Sequence, residues 1–519
     1  MGKSAWSHPA SVGAGIFVSA LVVGASSAHA DGNLQNLNHI IIVMQENRSF
    51  DNYFGVLAYV PGTPYHSARG SGRHRACAAT DNTCVDGLSC KTKQGTLRCR
   101  NHNPGNGGGS VKAFHDPRYC TGPDLDHSWI GSHQEGNFKR PNNMLKSSKN
   151  NGFVKVNALS DAPEQAIDHD TMGYYDDGDL PFYYDLARTF AIDDRYFAAV
   201  IGQTFPNRAY FQAATSFGHL TTSEIIVGGG YKPITGTIFD RLDAAGVSWT
   251  DYFSDLPYAA VFAIASGHTK PLSAFASDAA AGTLPAVAFV DPSAFVDQMI
   301  NGHTFQTDEH PPNDIRAGQY FVSTIVNALR NSPSWNDSLL ILTYDEHGGF
   351  YDHVMPPPAP QGGMLTPDGI APGQCADASN PPASEQPGAG ANCNHSRTID
   401  APGLCPTFTP TGPYPADCAT FDQLGFRLPF VAVSPFSKPH YVSHTIGSHT
   451  SILALLEQRF SLPSLTARDA NANDLEDMFD FDNAPSANAT IGTAPVPIEP
   501  GDPGCPFGGS PSGAFVTSP

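Results

Sequence analysis

Residues 39–55 read His-Ile-Ile-Ile-Val-Met-Gln-Glu-Asn-Arg-Ser-Phe-Asp-Asn-Tyr-Phe-Gly, and this stretch decides the fold. Its apolar run, Ile40 to Met44, stops abruptly at Glu46 and Asn47. Neither face of the run is polar, the pattern of a strand buried on both sides in a parallel sheet. In open α/β sheets, ligands bind beyond the carboxyl ends of the strands. A carboxylate beside an amide at that point suits a hard cation. The alternative is an ordinary turn, since Glu-Asn-Arg-Ser is common loop composition.

Residues 339–353, Leu-Leu-Ile-Leu-Thr-Tyr-Asp-Glu-His-Gly-Gly-Phe-Tyr-Asp-His, repeat the pattern. Leu339 to Thr343 reads as a second buried strand, and it runs into Asp345 and Glu346. Adjacent carboxylates repel unless a cation or a proton sits between them. Gly348 and Gly349 allow a tight turn and a close backbone approach. His347, Asp352 and His353 add further coordinating or proton-transferring groups. Two strands that both end in oxygen ligands predict one composite site.

A third segment is Ile-Gly-Gln-Thr-Phe-Pro-Asn-Arg-Ala-Tyr-Phe-Gln-Ala-Ala-Thr-Ser at 201–216. Phe205 to Ser216 reads as a helix with Pro206 in its first turn. Thr204 then sits near a helix start, where free backbone N–H groups favour an anion. Read by itself, Thr204 is an N-cap, the commoner role of Thr before such a helix.

The motifs at 44–55 and 344–354 join Thr-Met-Gly-Tyr-Tyr at 171–175, Leu-Pro-Phe-Tyr-Tyr-Asp-Leu-Ala at 180–187 and Gly-Gln-Thr-Phe-Pro-Asn-Arg at 202–208. In this order they resemble the bacterial phosphoesterase family of phospholipases C and AcpA-type acid phosphatases. The resemblance spans roughly residues 36–482, interrupted by two insertions. It implies an alkaline-phosphatase-like α/β fold, with a mostly parallel sheet sandwiched by helices. It also implies phosphoester hydrolysis assisted by one divalent cation, whose identity the resemblance leaves open. By position the family's metal ligands fall on Glu46, Asn47, Asp345 and Glu346. Its nucleophile falls on Thr204, which would also meet the metal. Its histidines fall on His127, His310 and His353; each of these, taken alone, reads as a surface or hydrogen-bonded structural residue.

The implied chemistry accounts for these residue types. A Thr hydroxyl is a weak nucleophile, and proximity to a divalent cation favours its alkoxide. Histidines would protonate the departing alkoxide and activate the water that hydrolyses a phospho-threonine. Glu46, Asp345 and Glu346 outweigh one divalent cation by one charge, which favours a diester monoanion over a monoester dianion. Arg48, Arg208 or protonated histidines would offset that preference. Three functions therefore stay open: a phospholipase C cleaving phosphatidylcholine-like diesters, an acid phosphatase acting on monoesters, and a non-catalytic secreted metal-binding or adhesive protein.

Residues 11–24 are largely apolar, preceded by Lys3 and followed by Ala-His-Ala at 28–30, which reads as a secretory signal over 1–30. The expected location is secreted or periplasmic. No other stretch is long and apolar enough for a membrane span. A formal net charge of −20 excludes nucleic acid as a partner class and disfavours anionic membranes. Phospholipid or a small phosphoester is the expected substrate, with transient membrane-surface contact and zwitterionic headgroups compatible.

The catalytic domain is expected over 31–484, with a Cys-rich insertion at about 61–125 and a Pro/Gly-rich one at about 356–420, both irregular loops. A Pro/Gly-rich tail follows at 485–519. The ten cysteines fall as Cys77, Cys84, Cys90, Cys99 and Cys120, then Cys375, Cys393, Cys405, Cys418 and Cys505. With an export signal they read as disulfides. Five per group requires at least one in each to pair across the groups or stay free. Elsewhere, Leu284 to Val290 and Leu428 to Val433 read as buried strands. Asn313 is expected to cap a helix to Arg330, and Ser448 one to Phe460.

Overall fold

The computed structural model describes residues 34–68, 76–121, 124–137, 149–158, 169–216, 235–261, 267–300, 303–360 and 421–483, with a few isolated positions besides. The signal segment, most of the second insertion and nearly all of the tail lie outside the described residues.

Strand β1 (His39–Gln45) lies inside an eight-stranded sheet. In chain order its companions are β2 (Ala191–Asp193), β3 (Trp249–Phe253), β4 (Thr269–Pro271), β5 (Val287–Asp291), β6 (Ser338–Tyr344), β7 (Val431–Val433) and β8 (Val442–Ser443). The spatial order is β4-β3-β5-β1-β6-β7-β2-β8. β1 pairs in parallel with β5 on one side and β6 on the other, Ile40 facing Val287 and Leu339. Only β7 runs against its neighbours. Every residue from Ile40 to Gln45, and all of β6, is buried, as the unbroken apolar runs require.

Helices among the described residues include α1 (Phe50–Phe54), α2 (Trp129–Gly136), α3 (Pro181–Thr189), α4 (Thr204–Ala213), α5 (Ile238–Ala245), α6 (Ser273–Ala281), α7 (Ile315–Arg330) and α8 (His449–Phe460). α4 packs on α8 and α6 on α7. In α7, Phe321, Ile325 and Leu329 face the core together, one helical turn apart. No described helix is long and apolar enough to cross a membrane.

Several element boundaries differ from expectation for local reasons. β5 starts at Val287 and β7 at Val431, because Pro285 and Pro429 carry no N–H for a ladder. The α7 cap is Asp314, whose carboxylate accepts from the Arg316 N–H; Asn313 instead donates to Gln306 and Asp308. Ser448 does cap α8, in a reciprocal box with Ser451. α4 ends at Ala213, because Ala214 turns left-handed at φ 57°.

The first insertion is less irregular than its composition suggests. Cys90–Lys93 and Thr96–Cys99 form an antiparallel hairpin, turned by Gln94 and Gly95 at φ 53° and 80°. A Cys90–Cys99 disulfide ties its open end, and Cys77–Cys84 closes a neighbouring loop. Cys120 is also disulfide-bonded, to a partner outside the described residues.

Candidate metal and phosphoester site

Parallel pairing of β1 with β6 brings their carboxyl ends side by side. The turns that follow are knitted together: the Asp345 N–H donates to the Gln45 carbonyl at 3.0 Å and the Arg48 N–H to the Glu346 carbonyl at 3.1 Å. Asp345 Oδ1 accepts from the N–H groups of Asn47 and Glu346 at 3.1 and 2.7 Å. Asn47 holds φ 62°, a conformation Asn tolerates better than most side chains. Gly348, at φ 62°, lies so close that a Cβ there would sit 2.3 Å from the Asn47 carbonyl oxygen. Only glycine lets the two turns approach this far.

This packing leaves polar atoms stranded. Both side-chain polar atoms of Asn47, Oδ2 of Asp345 and Oε1 of Glu346 are buried with no hydrogen-bond partner. Such orphans cost about 1–3 kcal/mol each, and oxygens of this kind match a hard cation's preferred donors. Burial, reinforced by the neighbouring Glu46, pushes Asp345 up to about 8. Burial likewise raises Glu346, to about 7, against the pull of His127. The donor set is consistent with a metal ion.

Glu46 is held differently. Its Oε1 accepts from Arg208 Nη2 at 2.9 Å and from the Tyr258 hydroxyl. Burial pushes Glu46 up, but Arg208, His310 and Tyr258 outweigh it and leave the carboxyl below its ordinary value. Arg208 Nε also lies 3.6 Å from Asp345 Oδ2. This one guanidinium joins both strand ends and supplies the counter-charge. Arg48 is spent elsewhere, donating to the Glu309 carbonyl at 2.6 Å.

Thr204 is the first residue of α4, and Gln203 stands at the cap position without a side-chain cap bond. The N-cap role that sequence allowed for Thr204 is therefore not the one it takes. Thr204 and Arg208 are four apart, so they share a helix face, and Arg208 turns that face toward Glu46 and Asp345. The expected anion site at the helix start is largely closed. The Phe205 N–H donates to Thr222 Oγ1 at 3.1 Å, Pro206 has none, and the Asn207 N–H reaches the Gln203 carbonyl at 3.4 Å.

His127 directly precedes Ser128, the α2 cap. Its Nδ1 bonds the Leu125 carbonyl at 2.7 Å, so that nitrogen carries a proton, and its Nε2 lies 3.8 Å from Glu346 Oε1. Burial lowers the imidazole's basicity, yet Asp124 and Glu346 prevail and lift it to about 10. The His310 ring lies 5.8 Å from that of His127, and its Nδ1 donates to the Pro311 carbonyl. It too is raised, Asp124 and Glu46 overcoming burial. Asp124, His127 and His310 bring one ligand atom each within 4.8 Å of one another.

The Phosphoesterase family's sequence profile matches residues 37–463. The chain belongs to the Phosphoesterase family. As a member it is a phosphoric ester hydrolase. Phospholipase C B of Mycobacterium tuberculosis (strain H37Rv) is 30% identical over 491 residues, covering 88% of this chain and 80% of that one. Non-specific phospholipase C1 of Arabidopsis thaliana is 30% identical, covering 86% and 71%. A murine ectonucleotide pyrophosphatase/phosphodiesterase 5 structure aligns at 12% identity over 58% of this chain and 95% of its own, with a TM-score of 0.32, too slight a likeness to argue from.

Of the residues read from sequence, Glu46, Asn47, Asp345, Glu346, His127 and His310 come together, and Thr204 shares a helix face with Arg208, which reaches them. His353 does not join them. Its Nδ1 pairs with Asp51 at 2.7 Å and its Nε2 with Asp86 at 3.2 Å, beside buried Arg427. Sequence reasoning passed over Asp124, Tyr258 and Glu309. Glu309, also at positive φ, is a buried carboxylate gripped by the hydroxyls of Tyr53, Tyr183 and Tyr344. All three tyrosines lie in the motifs at 44–55, 180–187 and 344–354, the one signal that could have pointed to it.

Proposed function

We propose that this phosphoesterase is an exported phospholipase C that cleaves phosphatidylcholine-like diesters through a phospho-threonine at Thr204. The observation that carries the mechanism is the placement of Thr204, free of a capping duty and one turn from Arg208. The identity shared with mycobacterial and plant phospholipases C across most of the chain supports the substrate class. Disulfides and the signal-like pattern at 1–30 support export.

Asn47, Asp345, Glu346 and Glu46 would hold a divalent cation, which would favour the Thr204 alkoxide and offset phosphate charge. Thr204 Oγ1 forms a bond to phosphorus as the bond from phosphorus to the diacylglycerol oxygen breaks. Protonated His127 or His310 donates to that leaving oxygen. The resulting neutral imidazole takes a proton from the water that then cleaves the phospho-threonine, freeing the headgroup phosphate. Arg208 holds Glu46 and Asp345 in place throughout. With the Phe205 N–H engaged and Pro206 lacking one, the cationic histidines carry most of the phosphate's remaining charge.

Built-in Arg208 removes part of the charge excess that disfavoured dianions, so phosphomonoesters remain the second reading. Comparing hydrolysis of p-nitrophenyl-phosphorylcholine with p-nitrophenyl phosphate across added divalent metals tests the choice. A preference of tenfold or more for the diester is expected; the reverse preference replaces phospholipase with phosphatase.

A further inference from the structure

Three of the five large hydrophobic side chains exposed among the described residues crowd one short segment: Phe295, Val296 and Met299, at 39%, 58% and 68% exposure. This segment is built, not loose. Asp255 Oδ2 accepts three consecutive backbone N–H groups, from Ala294, Phe295 and Val296. Gln298–Ile300 then pairs antiparallel with His303–Phe305. On the underside, Ile300 and Phe305 pack against Ala317 of α7. The ribbon thus buries one apolar set and displays another.

Both anchors of this ribbon lead directly into the site. Ser293 and Thr307 close its base by exchanging hydrogen bonds, the Ser293 N–H to Thr307 Oγ1 at 2.9 Å and the Thr307 N–H to the Ser293 carbonyl at 3.0 Å. The Thr307 carbonyl accepts from Gln45, and the next residue, Asp308, accepts from the Glu46 N–H at 2.8 Å. Asp255, the other anchor, lies three residues before Tyr258, which donates to Glu46. An exposed apolar cluster of this kind marks an interaction surface.

We propose that the ribbon of residues 293–300 and 303–305 docks the enzyme on a zwitterionic phospholipid surface, inserting Phe295, Val296 and Met299 among the lipids. The choice of occupant rests on the phospholipase reading above and on charge. Residues 293–305 contain one acid, Asp297, and no Lys or Arg, in a chain of formal charge −20. Anionic leaflets attract basic segments and would repel this one, whereas a zwitterionic surface demands only apolar contact.

The test is flotation of the whole protein with phosphatidylcholine vesicles. The triple variant Phe295→Ser, Val296→Ser, Met299→Ser should partition at least tenfold less than the unsubstituted protein. Its turnover of soluble p-nitrophenyl-phosphorylcholine should stay within twofold. Ile446→Ser, a control at another exposed hydrophobic, should change neither. Equal partitioning of triple variant and parent, or binding by the parent to anionic vesicles alone, overturns the proposal. If the triple variant does not fold, Val296→Trp decides: its added indole fluorescence should shift to the blue on vesicles and be quenched by brominated phosphatidylcholine, and an unmoved emission overturns docking. Hydrolysis separates the two claims. A parent that floats but leaves phosphatidylcholine intact ends the phospholipase reading while the docking surface stands.

Discussion

Arg208 Nη2 lies 2.9 Å from Glu46 Oε1, and its guanidinium stacks 3.7 Å from the centre of the Tyr258 ring. A helix side chain thereby clasps the end of β1, and through Asp345 the end of β6 as well. Acid, base and helix are all buried, so the pair exists in a setting where losing one partner is costly.

Removing that partner should therefore show in stability. Arg208→Gln leaves Glu46 and Asp345 facing each other without counter-charge, at a cost of about 3–5 kcal/mol. Urea unfolding in chelator measures it. Added divalent metal should recover part of the loss by binding the same carboxylates. A variant as stable as the parent in chelator would show that the clasp is incidental.

The carboxylates themselves make a sharper prediction. Asp345→Ala should lose bound metal and activity together, since Oδ2 of Asp345 is one of the stranded oxygens. Metal content by elemental analysis checks it. Full occupancy in the variant places the ion elsewhere.

Sequence and structure agree where one residue run settles its own surroundings. The apolar runs before Glu46 and Asp345 mark β1 and β6 because burial on both faces favours apolar side chains along most of each strand. Gly348 was readable as a tight turn, although not as the gap that admits Asn47. What could not be read depends on distant partners. Asp124 becomes significant only because α2 and the segment ahead of α7 bring His127 and His310 beside it. Glu309 looks like one more loop acid until three tyrosines from separate segments surround it. His353 sits within a matched motif, yet Asp51 and Asp86 claim both of its nitrogens, and nothing local announces them.

His353 predicts a pH dependence of stability. Burial pushes its imidazole down, but Asp51 and Asp86 prevail and hold it at about 10. The folded value is raised above the ordinary one near 6.5. The pairing therefore stabilises fully below about 6.5 and is lost progressively as pH rises through about 10. Between pH 6.5 and 10, His353→Gln should lose less melting temperature than the parent, by roughly 3 °C or more. Parallel curves would mean the histidine is not charged in the fold.

The disulfides are open to direct counting. Thiol titration of the unfolded, unreduced protein should find few free thiols, given that Cys77, Cys84, Cys90, Cys99 and Cys120 are all bonded. Finding most of them free would contradict both the pairing and the export it supports.

The most direct measurement is made at Thr204. Thr204→Ser keeps the hydroxyl and should retain measurable turnover, with a phosphorylated residue 204 trapped by acid quench. Thr204→Val is nearly isosteric and should fold normally, because Gln203 and not Thr204 stands at the helix cap. Its turnover should fall by several orders of magnitude, on the order of the loss seen when other nucleophiles are deleted. A folded Thr204→Val enzyme with full activity would contradict the phospho-threonine mechanism outright.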